Sequence, residues 1–453
     1  MSERTIAALS TPAGEGGIAV IRISGEDAVS IADKVFCAFN KKALSTLSGY
    51  SAAYGEIIWE NESIDDGVAL VFKAPKSYTG EDTVELSVHG GSASAKTTLR
   101  ALYSAGAFPA KAGEFTERAF LNGKIDLTKA ESIMSIISAK SEAALKLSRG
   151  AKQGKVSKEI EEITNKLLET ASSLAAYADY PDEDIEGLTF ENFSALLNTC
   201  EQKLSRLLKD YDAGKIIREG LECAIVGKPN VGKSSLMNML SRHERSIVTD
   251  IAGTTRDIVE NTVKLGDIIL NLSDTAGIHS TEDVVECLGV KKALERLDSS
   301  ALVLAVFDLS REFDSDDAEL LKQLDKNDTI IVLNKSDLAI SLDKSVFDGF
   351  ITVEISAKDG KGAKELEQEI LKLSKMASLS PDAAVLISER QRSCVERALS
   401  SVTGAISALN EGFTLDAVGV CVDDCLDALL ELTGKRVTNE VCDEIFRRFC
   451  VGK

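Results

Sequence analysis

The chain of 453 residues lacks several features that would define its class at once. Its longest uninterrupted apolar run, Ala301 to Phe307, is far shorter than the roughly 18–20 residues that a membrane-spanning helix needs. The nine cysteines form no CxxC pair, which argues against a zinc framework, and their odd number favours free thiols. The amino terminus, MSERTIAALSTPAGEGG, has neither an export-signal nor a transit-peptide pattern. These absences predict a cytoplasmic protein with no membrane segment.

Positive charge is also scarce, because 52 Lys and Arg are set against 72 Asp and Glu, a net charge of −20. We do not expect such a chain to coat DNA or anionic membranes. Residues 96–158 differ, with twelve basic against five acidic residues, a surplus of +7. We call six of these residues the basic island: Lys140, Lys146, Arg149, Lys152, Lys155 and Lys158. A solvated helix face is the ordinary interpretation, and contact with RNA phosphates is the alternative.

The length predicts two or three domains. Short strand-like runs near residues 17–23, 67–72 and 83–88, separated by Gly and Pro, indicate an α+β domain over residues 1–120. Helical periodicity begins at Leu127, where Thr128 and Glu131 have the spacing of a capping box. We expect the segment 180–187 to interrupt these helices before they resume.

A different pattern begins near Leu221, where short apolar runs alternate with amphipathic segments: LECAIV, IILNL, ALVLAVF, TIIVL and ITVEI. This alternation predicts parallel strands joined by crossover helices over residues 218–379. The chain is helical again over 380–453, and a helical tail needs something to pack on. We therefore expect it to complete the first helical segment, 121–217, around an inserted α/β domain. The predicted fold class is multidomain, α/β and α+β, with a Ras-like P-loop domain inserted in a helical domain.

A complete phosphate-binding motif, GKPNVGKS, occupies residues 227–234 between a strand-like and a helix-like segment. Its glycines let the backbone turn so that N–H groups face phosphate oxygens, and the following helix terminus adds positive potential. Lys233 can reach the terminal phosphates, which makes it a catalytic candidate, and the Ser234 hydroxyl can ligate Mg²⁺.

Four more motifs occur in the order found in GTPases. Asp274 can reach the Mg²⁺ shell, and the Gly277 amide can meet the γ-phosphate. Asp337 in NKSD can accept both donors on the Watson–Crick edge of guanine, which adenine does not offer. Ser356 begins the SAK loop that closes over the guanine, and Thr255 in the TTRD segment can complete the Mg²⁺ coordination. The ordered set predicts GTP binding, although Asp337 alone could be a turn residue and Ser356 alone a helix cap.

The predicted nucleotide site contains these residues: Asn230, Val231, Gly232, Lys233, Ser234, Ser235, Thr249, Thr254, Thr255, Asp274, Thr275, Ala276, Gly277, Asn334, Lys335, Asp337, Ser356, Ala357 and Lys358.

From end to end the chain resembles the MnmE (TrmE) family of tRNA-modifying GTPases. The resemblance rests on TPAGEGGIAVIRISG, APKSYTGEDTVELSVHGG, AGEFTERAFLNGKIDLTKAE, TDIAGTTRD and the final CVGK. It implies that residues 1–120 bind tetrahydrofolate and dimerise. It also implies an MnmG-like FAD protein as partner, in a heterotetramer that modifies carbon 5 of the wobble uridine of certain tRNAs.

By the same resemblance, a tetrahydrofolate derivative, in the 5-formyl or methylene form, contacts Arg22, Glu85, Lys124 and Lys453. A carboxylate such as Glu85 could receive the N–H groups of a pterin, and basic side chains suit the folate carboxylates. The ordinary interpretation of Glu85 is a solvent-facing strand residue. Cys450 matches the family's carboxy-terminal cysteine, which tRNA modification requires, so it is a catalytic candidate.

The position where many small GTPases carry a water-orienting glutamine is Ile278 in this chain. The family replaces that group by dimerising its GTPase domains around K⁺. The implied K⁺ ligands are Asn230, Thr249, Ile251 and Thr254, and the implied catalytic carboxylate is Glu286. His279 stands where the family often has arginine, which leaves an arginine-dependent contact there open. A ribosome-assembly or regulatory GTPase switch is the alternative function, but the amino-terminal motifs and the final CVGK favour tRNA modification.

Overall fold

The structure is a computed structural model that describes residues 4–179, 190–243, 262–265, 268–274, 301–373 and 383–453. The expected helix break at 180–187 lies outside these residues. Among the described helices, none combines the length and the apolar character needed to cross a membrane.

The amino-terminal part is a seven-stranded sheet flanked by three helices. Its strands are β1 (Ile6–Leu9), β2 (Ile18–Ser24), β3 (Phe36–Ala38), β4 (Ser51–Trp59), β5 (Glu62–Phe72), β6 (Thr83–His89) and β7 (Phe108–Pro109), in the order β3-β4-β5-β6-β2-β1-β7. Its helices are α1 (Ala28–Val35), α2 (Ser92–Ala105) and α3 (Glu114–Leu121), and a short 3₁₀ turn spans Leu44–Thr46. Alternate residues such as Ile21 and Leu86 are buried with α1 and α2, so Arg22 and Glu85 lie on the opposite face. The strands expected near residues 17–23, 67–72 and 83–88 are confirmed.

Four long helices follow: α4 (Leu127–Ser138), α5 (Glu142–Lys152), α6 (Lys155–Asp179) and α7 (Phe190–Glu219). The expected capping box at Thr128 is wrong, because the cap of α4 is Asp126, whose carboxylate accepts from the Lys129 amide at 2.8 Å. Thr128 already lies inside the first turn, and Glu131 bonds Arg390 at 2.9 Å instead of the helix terminus. A carboxylate two residues earlier therefore took the capping position.

The next segment forms a six-stranded α/β sheet. Its elements are β8 (Leu221–Val226), α8 (Lys233–His243), β9 (Thr262–Leu265), β10 (Ile268–Asp274), β11 (Leu302–Asp308), α9 (Ser315–Lys322), β12 (Thr329–Asn334), β13 (Ile351–Glu354) and α10 (Ala363–Leu373), with a 3₁₀ turn at Lys344–Phe347. The strand order is β13-β12-β11-β8-β10-β9, and only β9 is antiparallel to its neighbour. Ile225 and Val226 on β8 belong to separate apolar clusters on the two faces, as expected for a sheet covered on both sides.

The last helices are α11 (Glu389–Asn410), α12 (Leu415–Thr433) and α13 (Asn439–Arg447). Helices α11 and α12 share one buried core with α6 and α7, in which Ile160 and Leu204 pack with Val395 and Val422. The carboxy-terminal helices therefore complete the earlier helical segment, and the α/β sheet is inserted between the two halves. The expected fold class is confirmed.

Candidate functional site

The nucleotide motifs converge because of the sheet topology. Strand β8 lies between β10 and β11, so the later strands of the sheet are placed on both sides of it. In open α/β sheets, ligands bind at the carboxyl ends of the strands at such a switch point. The phosphate-binding loop follows β8, and Asp274 and Asn334 end β10 and β12. Residues separated by more than a hundred positions are thereby brought to one edge.

The phosphate-binding loop has a tightly constrained backbone. At Gly227, with φ +149°, an added Cβ would lie 2.5 Å from the carbonyl oxygen of Val306 and 3.1 Å from Cγ2 of Val231. Asn230 has φ +63°, a left-handed conformation that asparagine tolerates better than most residues. The Lys233 ammonium donates to the carbonyl oxygens of Gly227 and Lys228 at 2.7 and 2.8 Å. It lies inside the loop, where a phosphate would meet it.

Asn334 joins the phosphate loop to the base-recognition loop. Its Nδ2 donates to the Val231 carbonyl at 2.8 Å, and its Oδ1 accepts from the Ala357 amide at 3.0 Å. The side chain is buried, and Gly232 is the residue that leaves room for it, because an added Cβ there would collide with Nδ2. One amide side chain therefore sets the distance between the phosphate and guanine ends of the site.

The carboxylate of Asp337, the residue predicted to recognise guanine, is oriented by the loop that follows β13. The Ser356 hydroxyl, itself buried, donates to Oδ1 of Asp337 at 2.8 Å, while Asp337 remains exposed at the sheet edge. The Ser356 hydroxyl thus occupies one lone pair of Asp337 Oδ1 and leaves Oδ2 of Asp337 for a ligand.

Lys335, which lies between Asn334 and Asp337 in the chain, is fixed by an ion pair at the end of β11. Its backbone has φ +66°, and its ammonium donates to Asp308 Oδ2 at 2.6 Å. Burial alone would raise the pKa of Asp308, but hydrogen bonds from Lys335 and Ser310 outweigh burial and hold that pKa below its usual range. The ion pair holds a strained lysine in place beside the guanine-reading residue.

Lys228, the second residue of the phosphate loop, is tied to the amino terminus of α9. Its ammonium pairs with Asp314, the capping residue of that helix, and lies 3.4 Å from Asp317. The hydrogen bond from Lys228, with the backbone amide of Asp317, lowers the pKa of Asp314 to about 2. The motif pattern contained no indication of this tie.

Several of the expected site residues lie outside the described part of the chain: Thr249, Ile251, Thr254, Thr255, Thr275, Ala276, Gly277, Ile278, His279 and Glu286. Of Asp274 the structure describes the backbone, which pairs with Ile225. Ser234 and Ser235 open α8 and are exposed, and Lys358 is exposed beside Ala357.

A second cluster lies on the open face of the amino-terminal sheet. Arg22 and Glu85 are direct cross-strand partners on β2 and β6, and the guanidinium bonds Glu85 Oε1 through Nε at 2.9 Å and Nη2 at 2.8 Å. The guanidinium lies over the rings of Tyr78 and Phe115, at 5.1 and 5.6 Å from their centroids. Because only 21% of the Glu85 side chain is exposed, the ordinary interpretation as a solvent-facing residue does not describe its surroundings.

The carboxyl terminus reaches this cluster. Burial and the Arg22 and Lys152 cations lower the pKa of Lys453, while Glu85 and Cys450 act in the opposite direction, which places these groups within electrostatic reach of its ammonium. The Cys450 thiol is exposed, and the eight cysteines in the described part of the chain are free. Of the four expected folate contacts, Arg22 and Glu85 are paired, and Lys453 lies within electrostatic reach of both.

Lys124 is held elsewhere on the same surface. Its Nζ donates to the Pro75 carbonyl at 2.8 Å, and its stem packs against Gly80. These contacts belong to the loop that carries Tyr78, and no described contact joins Lys124 to Arg22 or Glu85.

A histidine near the far end of β6 has close acidic neighbours. His89 Nδ1 lies 2.6 Å from Asp65 Oδ1, and a carboxylate oxygen of Asp66 is within 4.8 Å of the group. Asp65 also accepts from the hydroxyl of Ser94 and from the His89 amide, so its lone pairs are already used. The Ser94–Asp65 bond ties the sheet to α2, and the His89–Asp65 bonds join β6 to β5.

The basic island is exposed along α5 and the start of α6. Five members are exposed and have no hydrogen-bond or ion-pair partner among the described residues: Lys140, Lys146, Arg149, Lys152 and Lys158. Lys155 is half-buried and does have a partner. Exposed cations without a described partner are available to an anionic ligand.

The fold and the nucleotide site define a P-loop GTPase domain inserted in a helical domain. A family model described as GTP-binding protein TrmE N-terminus matches residues 5–124, and one described as MnmE helical domain matches residues 127–450. The tRNA modification GTPase MnmE of Clostridioides difficile strain 630 is 39% identical over 455 residues, covering 99% of each chain. The protein of the same name from Lactococcus lactis is 41% identical over 451 residues, covering 99% of this chain and 98% of the relative. The chain belongs to the MnmE family.

Solved structures with a similar part include a variant of Aquifex aeolicus Era bound to GDP·AlF₄⁻, which is 28% identical over 40% of this chain and 66% of that chain, with a TM-score of 0.27. The G domain of T. maritima FeoB is 23% identical over 34% of this chain and 99% of that chain, with a TM-score of 0.25.

Proposed function

We propose that the protein hydrolyses GTP to GDP and phosphate and, together with an MnmG-like FAD protein, modifies carbon 5 of the wobble uridine (U34) of certain tRNAs. The product would carry an aminomethyl or carboxymethylaminomethyl group. The observation that carries this proposal is the full-length similarity to tRNA modification GTPases at 39–41% identity. The assembly of Arg22, Glu85, Lys453 and Cys450 from both ends of the chain supports it.

The nucleotide site supports GTP as the substrate. Asp337, oriented by Ser356, is the guanine reader, and Lys233 is placed to contact the terminal phosphates. Ser234 and Thr255 are the proposed Mg²⁺ ligands, and Mg²⁺ would neutralise charge that develops on the phosphates.

Hydrolysis is proposed to depend on K⁺ and on pairing of two GTPase domains, because Ile278 replaces the water-orienting glutamine. The proposed K⁺ ligands are Asn230, Thr249, Ile251 and Thr254, and Glu286 would orient the attacking water. The left-handed, exposed Asn230 is free to offer its side-chain oxygen to a cation above the loop. A bound cation there would stabilise transition-state charge as an arginine does in other GTPases.

The second site is proposed to bind a tetrahydrofolate derivative, in the 5-formyl or methylene form, which supplies the one-carbon unit. Glu85 and Arg22 present an acceptor and donors side by side, and the exposed Tyr78 ring beside the guanidinium favours a flat ligand. Lys453 and Lys124 would hold the ligand's carboxylates. Cys450, at the edge of this site, is the proposed catalytic thiol.

We propose a homodimer formed through the amino-terminal sheet. Tyr54 and Val68 are cross-strand partners on the face opposite α1 and α2, and they are 57% and 36% exposed. Ile18, on the same sheet, is 65% exposed. Exposed apolar side chains on a sheet face favour contact with a second protein surface. We place the complex in the cytoplasm.

Contact with tRNA is assigned to the basic island. Charge reversal of Lys140, Lys146 and Arg149 should weaken tRNA binding by tenfold or more, at roughly 1 kcal/mol or less for each phosphate contact. The affinity for GTP should not change, because these residues lie on α5 outside the α/β sheet. A matched control reverses three exposed lysines elsewhere: Lys41, Lys42 and Lys364. Equal loss in both variants would restore the solvated-face interpretation.

Two experiments test the proposal. Deleting the gene in its own host and analysing tRNA nucleosides by mass spectrometry should reveal wobble uridines without the carbon-5 group. Unchanged nucleosides would contradict tRNA modification and favour a regulatory GTPase. Separately, the GTPase rate should be much higher in potassium than in sodium buffer, and equal rates would contradict the cation mechanism.

A further inference from the structure

The last residues of the chain are attached to the amino-terminal sheet by backbone contacts. We call residues 450–453 the tail. Val451 forms an antiparallel bridge with Ala112, and the Phe115 amide donates to the Lys453 carbonyl at 3.3 Å. The Ser10 hydroxyl donates to the Gly452 carbonyl at 3.1 Å. These bonds fix the path of the tail without involving the Cys450 thiol.

The contact requires glycine at position 452. Its φ of +96° is a conformation that other residues rarely adopt. An added Cβ would collide with the Leu9 carbonyl oxygen and would lie 2.9 Å from the Leu9 carbonyl carbon and from Ser10 Cα. Leu9 cannot move aside, because it is paired with Ile21 inside the sheet.

The opposite side of the contact also requires glycine. Gly113, just before α3, has φ +70°, and an added Cβ would lie 2.5 Å from the Phe446 carbonyl oxygen and 3.0 Å from Phe446 Cβ. The Gly113 amide donates to the Cys450 carbonyl at 3.4 Å. Two glycines more than three hundred positions apart thus let the two ends of the chain approach closely.

The attachment point determines where the reactive groups lie. Ala8, next to Leu9 on β1, is the direct partner of Arg22 on β2, so the tail is attached beside the Arg22–Glu85 pair. Phe446 and Phe449, which precede the tail, are buried against α4, so the chain leading to it is anchored as well.

We propose that Gly452, with Gly113 as its counterpart, is a positioning residue that holds Cys450 and Lys453 at the Arg22–Glu85 site for the modification reaction. The inference rests on the proposed function, since it assigns those two side chains to that reaction. Gly452 acts only through the backbone and touches no substrate. GTP hydrolysis, at a separate sheet edge, does not depend on it.

The test compares full-length Gly452→Ala with the wild-type protein, using Gly412→Ala as the matched control. Gly412 also has a positive φ, of +76°, but has nothing within 4 Å of the added Cβ, so it carries the backbone strain without the collision. Ser10→Ala removes one bond to the tail and should give an intermediate effect. Three quantities are measured: amide hydrogen exchange of the tail and Phe115, the titration of Lys453 by NMR, and wobble-uridine modification in a deletion strain.

In Gly452→Ala we expect faster exchange at Phe115 and Lys453, a Lys453 pKa that rises toward its ordinary value, and modification reduced by about tenfold or more. GTPase activity and the Gly412→Ala control should match the wild type. Gly452→Ser should lose modification to the same extent as Gly452→Ala, because serine also carries a Cβ.

Full modification by Gly452→Ala would overturn the inference, whether the hydrogen exchange of its tail is unchanged or faster. Full modification by Cys450→Ser is a different result, because it would overturn the chemical role in the proposed function while the exchange data still report whether the tail is docked.

Discussion

Replacing Asn334 by alanine tests whether one side chain holds the two ends of the nucleotide site together. The substitution removes the donor to the Val231 carbonyl, in a buried environment, and the acceptor of the Ala357 amide, in a part-buried one. Leaving a buried backbone group unsatisfied costs about 1–3 kcal/mol, so the pair is worth about 2–4 kcal/mol after partial hydration. In Asn334→Ala a guanine nucleotide must itself hold the phosphate and guanine loops in position, so its affinity should fall by about 30- to 1000-fold.

The assay is equilibrium binding of a fluorescent GDP analogue, with thermal unfolding measured alongside. Asn327→Ala is the matched control, because Asn327 is exposed and bonds only Asp325 in its own loop. We expect the control to bind like the wild type. A Kd for Asn334→Ala within about threefold of the wild type would refute the reasoning, since it would mean that the two loops are held in register by other contacts.

Three further predictions concern ion pairs. Lys228→Met should weaken guanine-nucleotide binding by about two- to fivefold, and Lys228→Arg should not, because the lost ion pair is exposed at Asp314 and exposed pairs contribute little; wild-type affinity in Lys228→Met would contradict this. Glu131→Ala should lower the free energy of unfolding by about 3–5 kcal/mol in denaturant titration, since it leaves the largely buried Arg390 without its carboxylate; wild-type stability would contradict this. The pKa of Asp308 is depressed, so its ion pair with Lys335 is complete above the ordinary carboxyl pKa and is lost as pH falls through the folded value. The difference in unfolding free energy between the wild type and Asp308→Asn should therefore be constant from about pH 8 to pH 5, and a decline of that difference above pH 5 would contradict the assignment.

Local chemistry was enough to predict the GTPase motifs and the inserted α/β domain. A phosphate-binding loop must follow a strand and precede a helix, and the sequence around Gly227 satisfies that order. Parallel strands then bring their carboxyl ends together, so the meeting of Lys233, Asn334 and Ser356 follows from the motif order.

The contacts between distant segments could not be predicted in this way. The tie from Lys228 to Asp314 depends on the orientation of α9, and the path of the tail depends on helix packing around Phe446. Neither leaves a periodic signal in the sequence. The capping error at Thr128 has a simpler origin, because Asp126 and Thr128 could both cap α4. The ion pair with Arg390 engages Glu131, which the capping box at Thr128 would have needed.

We propose that GTP hydrolysis at the guanine site drives the tRNA modification. Asp337→Asn should change the preferred nucleotide from GTP to xanthosine triphosphate, because an amide at this position presents a donor where the guanine site needs an acceptor. The most direct measurement is tRNA modification by this variant, reconstituted with an MnmG-like FAD protein, with each nucleotide supplied in turn. We expect modification with xanthosine triphosphate and little with GTP, and equal modification with either nucleotide, or with none, would contradict the claim.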